Sequence, residues 1–415
     1  MKLKSILLLF VLYYFSLAIL HIHGETVEPS LQKVIENRTG NILMLENKKY
    51  DGSGVTIPKG VTIIGKKNTT IEVKQSPITV QSEVKIIGVK ITGGKSNFAL
   101  IIPEETKNVL IKKCDISNII GDGENFVAGI FISNKTDSIQ ITENFFHDIP
   151  AKYENNIIGD PIGAVRAIYI QSGKNILIQK NTFKNIGGFE DGDSIHIQTR
   201  LSNSYYTNSD VSICYNTFIA IKKRAIKIQA SQVNIISNNF YNSNLLTHTG
   251  IYGEFSKKLL VSKNKIHTQD VYSGIHFHHI QDSSISENEI EVIRDLRKNG
   301  QYSLLFENTK NLLVLQNNLS NNRITLINTK ETILKENKFL FLNGIGVSVK
   351  NSSNTKIITN RFSFINNQNI APVMLEGGNK MTQIKFNTLK TKDSPLFTKF
   401  RGENSQTIEE LNKYN

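Results

Sequence analysis

The stretch Ser273-Gly-Ile-His-Phe-His-His279 holds three of the chain's nine histidines. Imidazoles at that density carry protons near neutral pH or bind metals, and a His-x-His pair in a strand puts two of them on one face. Upstream, Arg224-Ala-Ile-Lys227-Ile-Gln229 repeats the apolar alternation with cations and an amide in the polar places. Aligning GIFIS, AIYIQ, SIHIQ, AIKIQ, GIYGE, GIHFH and SLLFE on their buried positions yields two outward columns. The first is Phe131, Tyr169, His196, Lys227, Tyr252, His276 and Leu305. The second is Ser133, Gln171, Gln198, Gln229, Glu254, His278 and Glu307.

These side chains suit proton transfer at a carbon beside a carboxylate. Such a reaction needs a cation or strong donors for that carboxylate, a base for the proton, and an acid for the leaving oxygen or the opposite face. Lys227, with Arg224, Gln198 and Gln229, can serve the carboxylate. His196, Tyr252 and His276 are the base and acid candidates, and Tyr169 can stack on a sugar ring, with Gln171 beside it. A second reading is glycoside hydrolysis, with Asp191, Asp193 and Glu254 as the carboxylates. A third is a binding protein without catalysis, of glycan or metal; His276, His278 and Glu254 could complete a divalent-metal site, though proton abstraction itself requires no cofactor.

The elements that position these columns come from a repeat. Segments such as SIQITENFF, NILIQKNTF, DVSICYNTF and QVNIISNNF recur with Asn at 144, 181, 216, 238, 264, 288, 317, 337, 360 and 387. Where no loop intrudes, the period is 20 to 29 residues, that of a solenoid. Period-two strands without long helical patterns predict an all-β, right-handed parallel β-helix of about a dozen coils over 40–390. Asn at a fixed place suits a turn whose side chain bonds the backbone or its stacked neighbours. Helical caps are expected at both ends: Ser30–Asn37 at one, and at the other a capping box, Thr407-x-x-Glu410, within a cap over 391–415. Residues 25–415 thus form one domain. The strand before each Asn is a control, its outward residues Gln140, Leu177, Ser212, Asn234, Leu260 and Ser284 including nothing titratable. Long insertions at 147–165, 184–192 and 199–210 flank the strands of Tyr169 and His196 and would wall a groove there.

The opening GNILMLENKKYDGSGVTIPKGVTIIGKKNTTIEV, then VKIIGVKITGG and the Asn-x-Phe coils, resembles the pectate-lyase-like superfamily of right-handed β-helix proteins. Within it, the opening is most similar to secreted polysaccharide lyases of the chondroitinase B and alginate lyase kind. The resemblance implies a polysaccharide lyase, or the related C5-epimerase, acting on a uronic-acid polymer. It also implies a catalytic Lys, an Arg on the next coil and an acidic calcium cluster. Here the comparable strand carries Arg224 and Lys227, the next coil offers Tyr252 and Glu254 in place of Arg, and no acidic cluster follows.

The termini and charge bound the setting. MKLK followed by the apolar run 5–20 has the form of a secretory signal ending at Gly24, with a retained anchor as the alternative, so the mature chain is expected outside the cytoplasm: secreted, periplasmic or on the cell surface. A net charge of +13, less Lys2 and Lys4, favours an anionic polysaccharide, rather than nucleic acid or membrane, as the partner of a monomer. Cys114 and Cys214 lie three coils apart, about 14 Å at the spacing of stacked strands, beyond disulfide reach.

Overall fold

Alternation of β-branched residues with polar ones makes each coil three short strands, and each strand pairs in parallel with its equivalent one coil on. The computed structural model describes residues 28–414, apart from 124, 151–163, 188–191, 243–248, 270, 294–300, 343, 365–370, 391–396 and 403. Three long parallel sheets run the length of the molecule, and with almost no helix this is a right-handed parallel β-helix. We call them sheet 1 (Ile42–Leu45 to Ile408–Glu410), sheet 2 (Lys49–Asp51 to Lys413–Tyr414) and sheet 3 (Thr56–Ile57 to Thr398–Arg401). Sheets 1 and 2 have 16 and 15 strands, so the solenoid exceeds the dozen coils expected.

The interior is stacked by residue type. On sheet 3, Ile130, Ile168, Ile195, Ile226, Ile251 and Ile275 fall in register and are fully buried. Phe146, Phe183, Phe218 and Phe240 stack with centroids 4.8–5.0 Å apart and planes within 8–12°. These are the aromatic residues of the Asn-x-Phe motif. Its Asn residues form a ladder between sheets 1 and 2, buried from Asn144 to Asn387 and ending at the half-buried Asn412. Each Nδ2 donates to the next coil's Oδ1 at 2.9–3.1 Å. Each Oδ1 also accepts the backbone N–H of the preceding rung, as Asn264 does from Asn238. A side-chain amide in an apolar wall is tolerable because its donors and acceptor are all engaged.

The Gly of Gly-Ile-x-Ile-x has a packing cause as well. A Cβ on Gly274 would lie 2.8 Å from the Ser303 carbonyl oxygen of the next coil and 2.8 Å from Ile290.

The first coil is covered by α1 (Leu31–Glu36), with Leu31 and Ile35 buried beneath it. The other end differs from expectation. Ile408–Glu410 is a strand pairing with Gln383–Lys385, so the capping-box helix at Thr407 is absent and the coils continue to Tyr414. Stacking on a ready sheet edge supplies ladder hydrogen bonds that a single helical turn cannot match. Both cysteines are free thiols, and Cys114 heads the Asn ladder, its N–H donating to Asn144 Oδ1 at 2.9 Å. The apolar run 5–20 and Gly24 lie outside the described residues. Among those described, no helix is long and apolar enough to cross a membrane.

Candidate functional site

Sheet 3 assembles both predicted columns. Tyr169, His196, Lys227, Tyr252 and His276 pair in register, as do Gln198 with Gln229 and Glu254 with His278. Phe277 points inward and is fully buried, while His279 turns the chain with φ 53°. A third ladder, three residues earlier in each strand, carries Arg166, Asp193 and Arg224. Arg166 did not emerge from the column alignment. Its signal was present in VRAIYI, where it occupies the place of Asp193 and Arg224 in the neighbouring strands.

The centre is a directed hydrogen-bond chain. Arg166 Nε donates to His196 Nδ1 (2.8 Å), which places the ring proton on Nε2, and Nε2 donates to Gln229 Oε1 (2.7 Å). Gln229 Nε2 then donates to the Tyr206 hydroxyl (2.9 Å) and to Glu254 Oε1. Glu254 Oε2 accepts from Tyr252 (2.8 Å). His196 is 1% exposed, and burial together with Arg166 and Lys227 holds its pKa well below the ordinary range. It is a neutral ring with both nitrogens hydrogen-bonded, closed to the base or acid role expected from the sequence.

On the ladder next to Lys227 lies an ion pair. Arg224 Nε and Nη2 donate to Asp193 Oδ1 and Oδ2 at 2.7 and 3.4 Å. Asp193 is 0% exposed; burial pushes its carboxyl up to about 6 against the pull of Lys227, Arg166 and Lys223. With Arg224 on both oxygens, the carboxylate is the form that fits. Lys227 itself is half-buried, and burial, then Arg224, lowers its pKa to about 8. An amine so placed has an appreciable neutral fraction under mildly alkaline conditions. Tyr252 goes the other way, its pKa raised by burial and by Glu254. The Arg224 guanidinium lies 5.5 Å from the Tyr252 ring centroid.

Other candidates occupy supporting places. Tyr169 is 9% exposed, its ring against Phe126, Phe131, His196 and Arg166 and its hydroxyl on Gln198 (3.0 Å), so it offers little face to a sugar. Gln171 accepts from Asn134 at the sheet margin (3.1 Å). His276 is held by Glu307 through Nε2 (2.8 Å), and His278 packs on His279 and Phe255. Among the described residues no group of three or more His, Cys, Asp or Glu is placed to hold a metal ion. Asp191 lies outside the described residues, as do 151–163 and 188–191 within two of the expected walls. The third wall is a hairpin, Leu201–Ser202 with Tyr205–Tyr206, anchored by Tyr206 N–H on the Phe255 carbonyl (2.7 Å) and Lys257 over the Tyr205 ring (4.1 Å).

The family model described as a right handed beta helix region matches residues 77–245. No curated protein matches the chain. Among solved structures, a mannuronic acid specific polysaccharide family 6 lyase from human gut microbiota superposes with a TM-score of 0.54 at 12% identity, over 78% of this chain and 81% of that one. A PL6 alginate lyase in complex with a trisaccharide gives 0.53 at 11% identity over 88% and 84%. DFA-IIIase from Arthrobacter chlorophenolicus A6 in complex with GF2 gives 0.50 at 14% identity over 78% and 83%. At these identities the likeness is one of fold.

Proposed function

We propose that this β-helix protein acts on an anionic, uronic-acid-containing polysaccharide as a lyase or C5-epimerase, with Lys227 as the base. The observation that carries the reading is the desolvated Lys227 amine, lowered to about 8 at the middle rung, beside the Asp193–Arg224 pair. The sequence alone assigns the Lys227 ammonium to the substrate carboxylate. The lowered pKa favours proton removal instead, leaving Arg224 as the permanent cation beside the developing negative charge.

In this scheme the C5 proton passes to the neutral Lys227 amine. The C5 electrons form the C4–C5 double bond as the C4–O bond breaks, and the departing oxygen takes the Tyr252 hydroxyl proton. Proton return from the Lys227 ammonium to the Tyr252 phenolate, one rung away, resets the site. Reprotonation of C5 on the opposite face gives epimerisation. Asp193 has no exposed surface and Glu254 is occupied by Tyr252 and Gln229, which disfavours these two as the carboxylate pair of a hydrolase.

The test is incubation of the full chain with a panel of uronate polymers, following ultraviolet absorbance of the unsaturated product and, in parallel, deuterium uptake at C5. Either signal, lost in Lys227→Ala, is expected. New reducing ends without either would mean hydrolysis and overturn the reading.

A further inference from the structure

Three rungs beyond Arg224, through Thr249 and Ser273, the same ladder reaches Tyr302, about 14 Å along the axis at the spacing of stacked strands. The rungs between are short and buried, with Thr249 and Ser273 hydroxyls 3.1 Å apart. Tyr302 meets Tyr272 edge to face with centroids 5.5 Å apart, and the Arg323 guanidinium lies 5.2 Å from the Tyr302 ring centroid. Tyr272 is 39% exposed and packs in turn toward His276 at 6.0 Å.

Arg323 differs from the arginines at the centre. Arg166 is committed to His196 and Arg224 to Asp193, whereas Arg323 makes no ion pair with any described residue, and its buried Nε has no hydrogen-bond partner. Two more polar atoms of this patch share that state: Nδ1 of His276, 8% exposed, and Oγ1 of Thr325, 5% exposed and in register with Leu305 beside His276. Buried donors and acceptors are nearly always satisfied by protein, water or ligand, so three open ones beside the exposed Tyr272 and half-buried Tyr302 suit a place that takes a polar ligand.

We propose that Tyr272, Tyr302 and Arg323 form a second sugar-binding station, which takes another carboxylate-bearing unit of the polymer cleaved or epimerised at Lys227. The aromatic pair suits the C–H face of a pyranose, and the guanidinium suits a carboxylate through paired N–H donors. Because the station lies three coils from Lys227, the polymer runs along the solenoid axis, across the strands. The identity of the polymer rests on the reading above; the station itself does not.

The experiment uses the full chain, Arg323→Ala, Tyr302→Ala and a ladder of uronate oligomers of increasing length. For the wild type, kcat/KM should rise with length once an oligomer spans both stations. Arg323→Ala should remove that rise, a loss of about tenfold on long oligomers, with the shortest cleaved oligomer unaffected. Carboxyl-reduced long oligomers should bind wild type and Arg323→Ala alike. Equilibrium binding to Lys227→Ala, with and without Arg323→Ala, gives the same comparison independently of turnover. Arg323-dependent binding without any turnover by the wild type would uphold the station and sink the lyase reading. An equal loss at all lengths, or binding indifferent to Arg323 in a variant with an unchanged melting curve, would overturn the station.

Discussion

Sheet 3 and sheet 1 are built from the same coils at the same spacing, yet their outward faces are opposites. On sheet 1 the ladder Gln140, Leu177, Ser212, Asn234, Leu260, Ser284 carries no titratable group, and its members are exposed or half-exposed. On sheet 3, Arg166, His196 and Gln229 are buried and bonded in a chain, and buried Asp193 is paired with Arg224, around a half-buried Lys227. Buried charge costs free energy unless it is paired, and a solenoid needs none on its outside to fold. The polar cluster on sheet 3 is therefore the candidate for function, while the Asn ladder beside sheet 1 satisfies the backbone of the coils.

The sharpest way to break that contrast is at Lys227. Lys227→Ala should lower turnover by about 10² to 10⁴, the usual worth of a general base, with little change in melting temperature. Ser284→Ala on the opposing face should leave both unchanged. Since the base acts when deprotonated, kcat/KM of the wild type should rise with pH through about 8 and then level. A profile flat across that range would remove Lys227 from the proton-transfer role.

Asp193→Asn tests the neighbouring ladder. It keeps the shape but removes the charge that fixes Arg224, so the guanidinium should shift and turnover should fall by up to about a hundredfold. KM should rise more than kcat falls if Arg224 faces the substrate carboxylate in the ground state too, as the proposed function requires. Loss of stability without that split would make the pair merely structural.

The opposite dissociation is expected at the Asn ladder. Asn264→Ala strips the Asn238 backbone N–H of its acceptor and the Ile235 carbonyl of the Asn264 amide donor, while the Asn238 side-chain amide keeps the Ile213 and Ile236 carbonyls. At about 1–3 kcal/mol for each buried group left unsatisfied, the melting temperature should drop clearly while kcat at lower temperature stays near normal.

What the sequence made legible follows from this division. Repeat length, strand alternation and the Asn-x-Phe motif are periodic signals, and a period survives summation over many coils; the β-helix, the outward columns and the separate thiols all follow from it. The pairing inside the columns has no period. That Arg166 caps His196 Nδ1, or that Tyr206 reaches Gln229 from a hairpin, depends on side-chain reach between coils, and no spacing encodes it. Exposure was misjudged for the same reason: an outward place on a strand implies solvent only if nothing else covers it, and His196 at 1% exposure is covered. At Thr407 a local capping signal met a sheet edge ready to extend, and the edge prevailed.

The smallest expected effect sharpens the scaffold side. In coil after coil the residue before the ladder Asn has a left-handed backbone, as with Lys180 (φ 55°), Ser237 (φ 56°), Lys263 (φ 57°) and Glu287 (φ 56°). For an L-residue other than Gly that region costs roughly 1–2 kcal/mol, and the Asn hydrogen bonds closing the turn offset it. Lys263→Gly removes the steric cost but adds backbone freedom to the unfolded chain, worth roughly 0.5–1 kcal/mol in the other direction. The exposed Lys263–Glu287 contact at 3.8 Å contributes little. A net gain of about 0.5 kcal/mol is therefore expected, read as a small upward shift of the melting curve with activity unchanged. A Gly that instead destabilised the protein by more than about 1 kcal/mol would show that the turn carries no strain and that Lys263 holds the coil through its side chain.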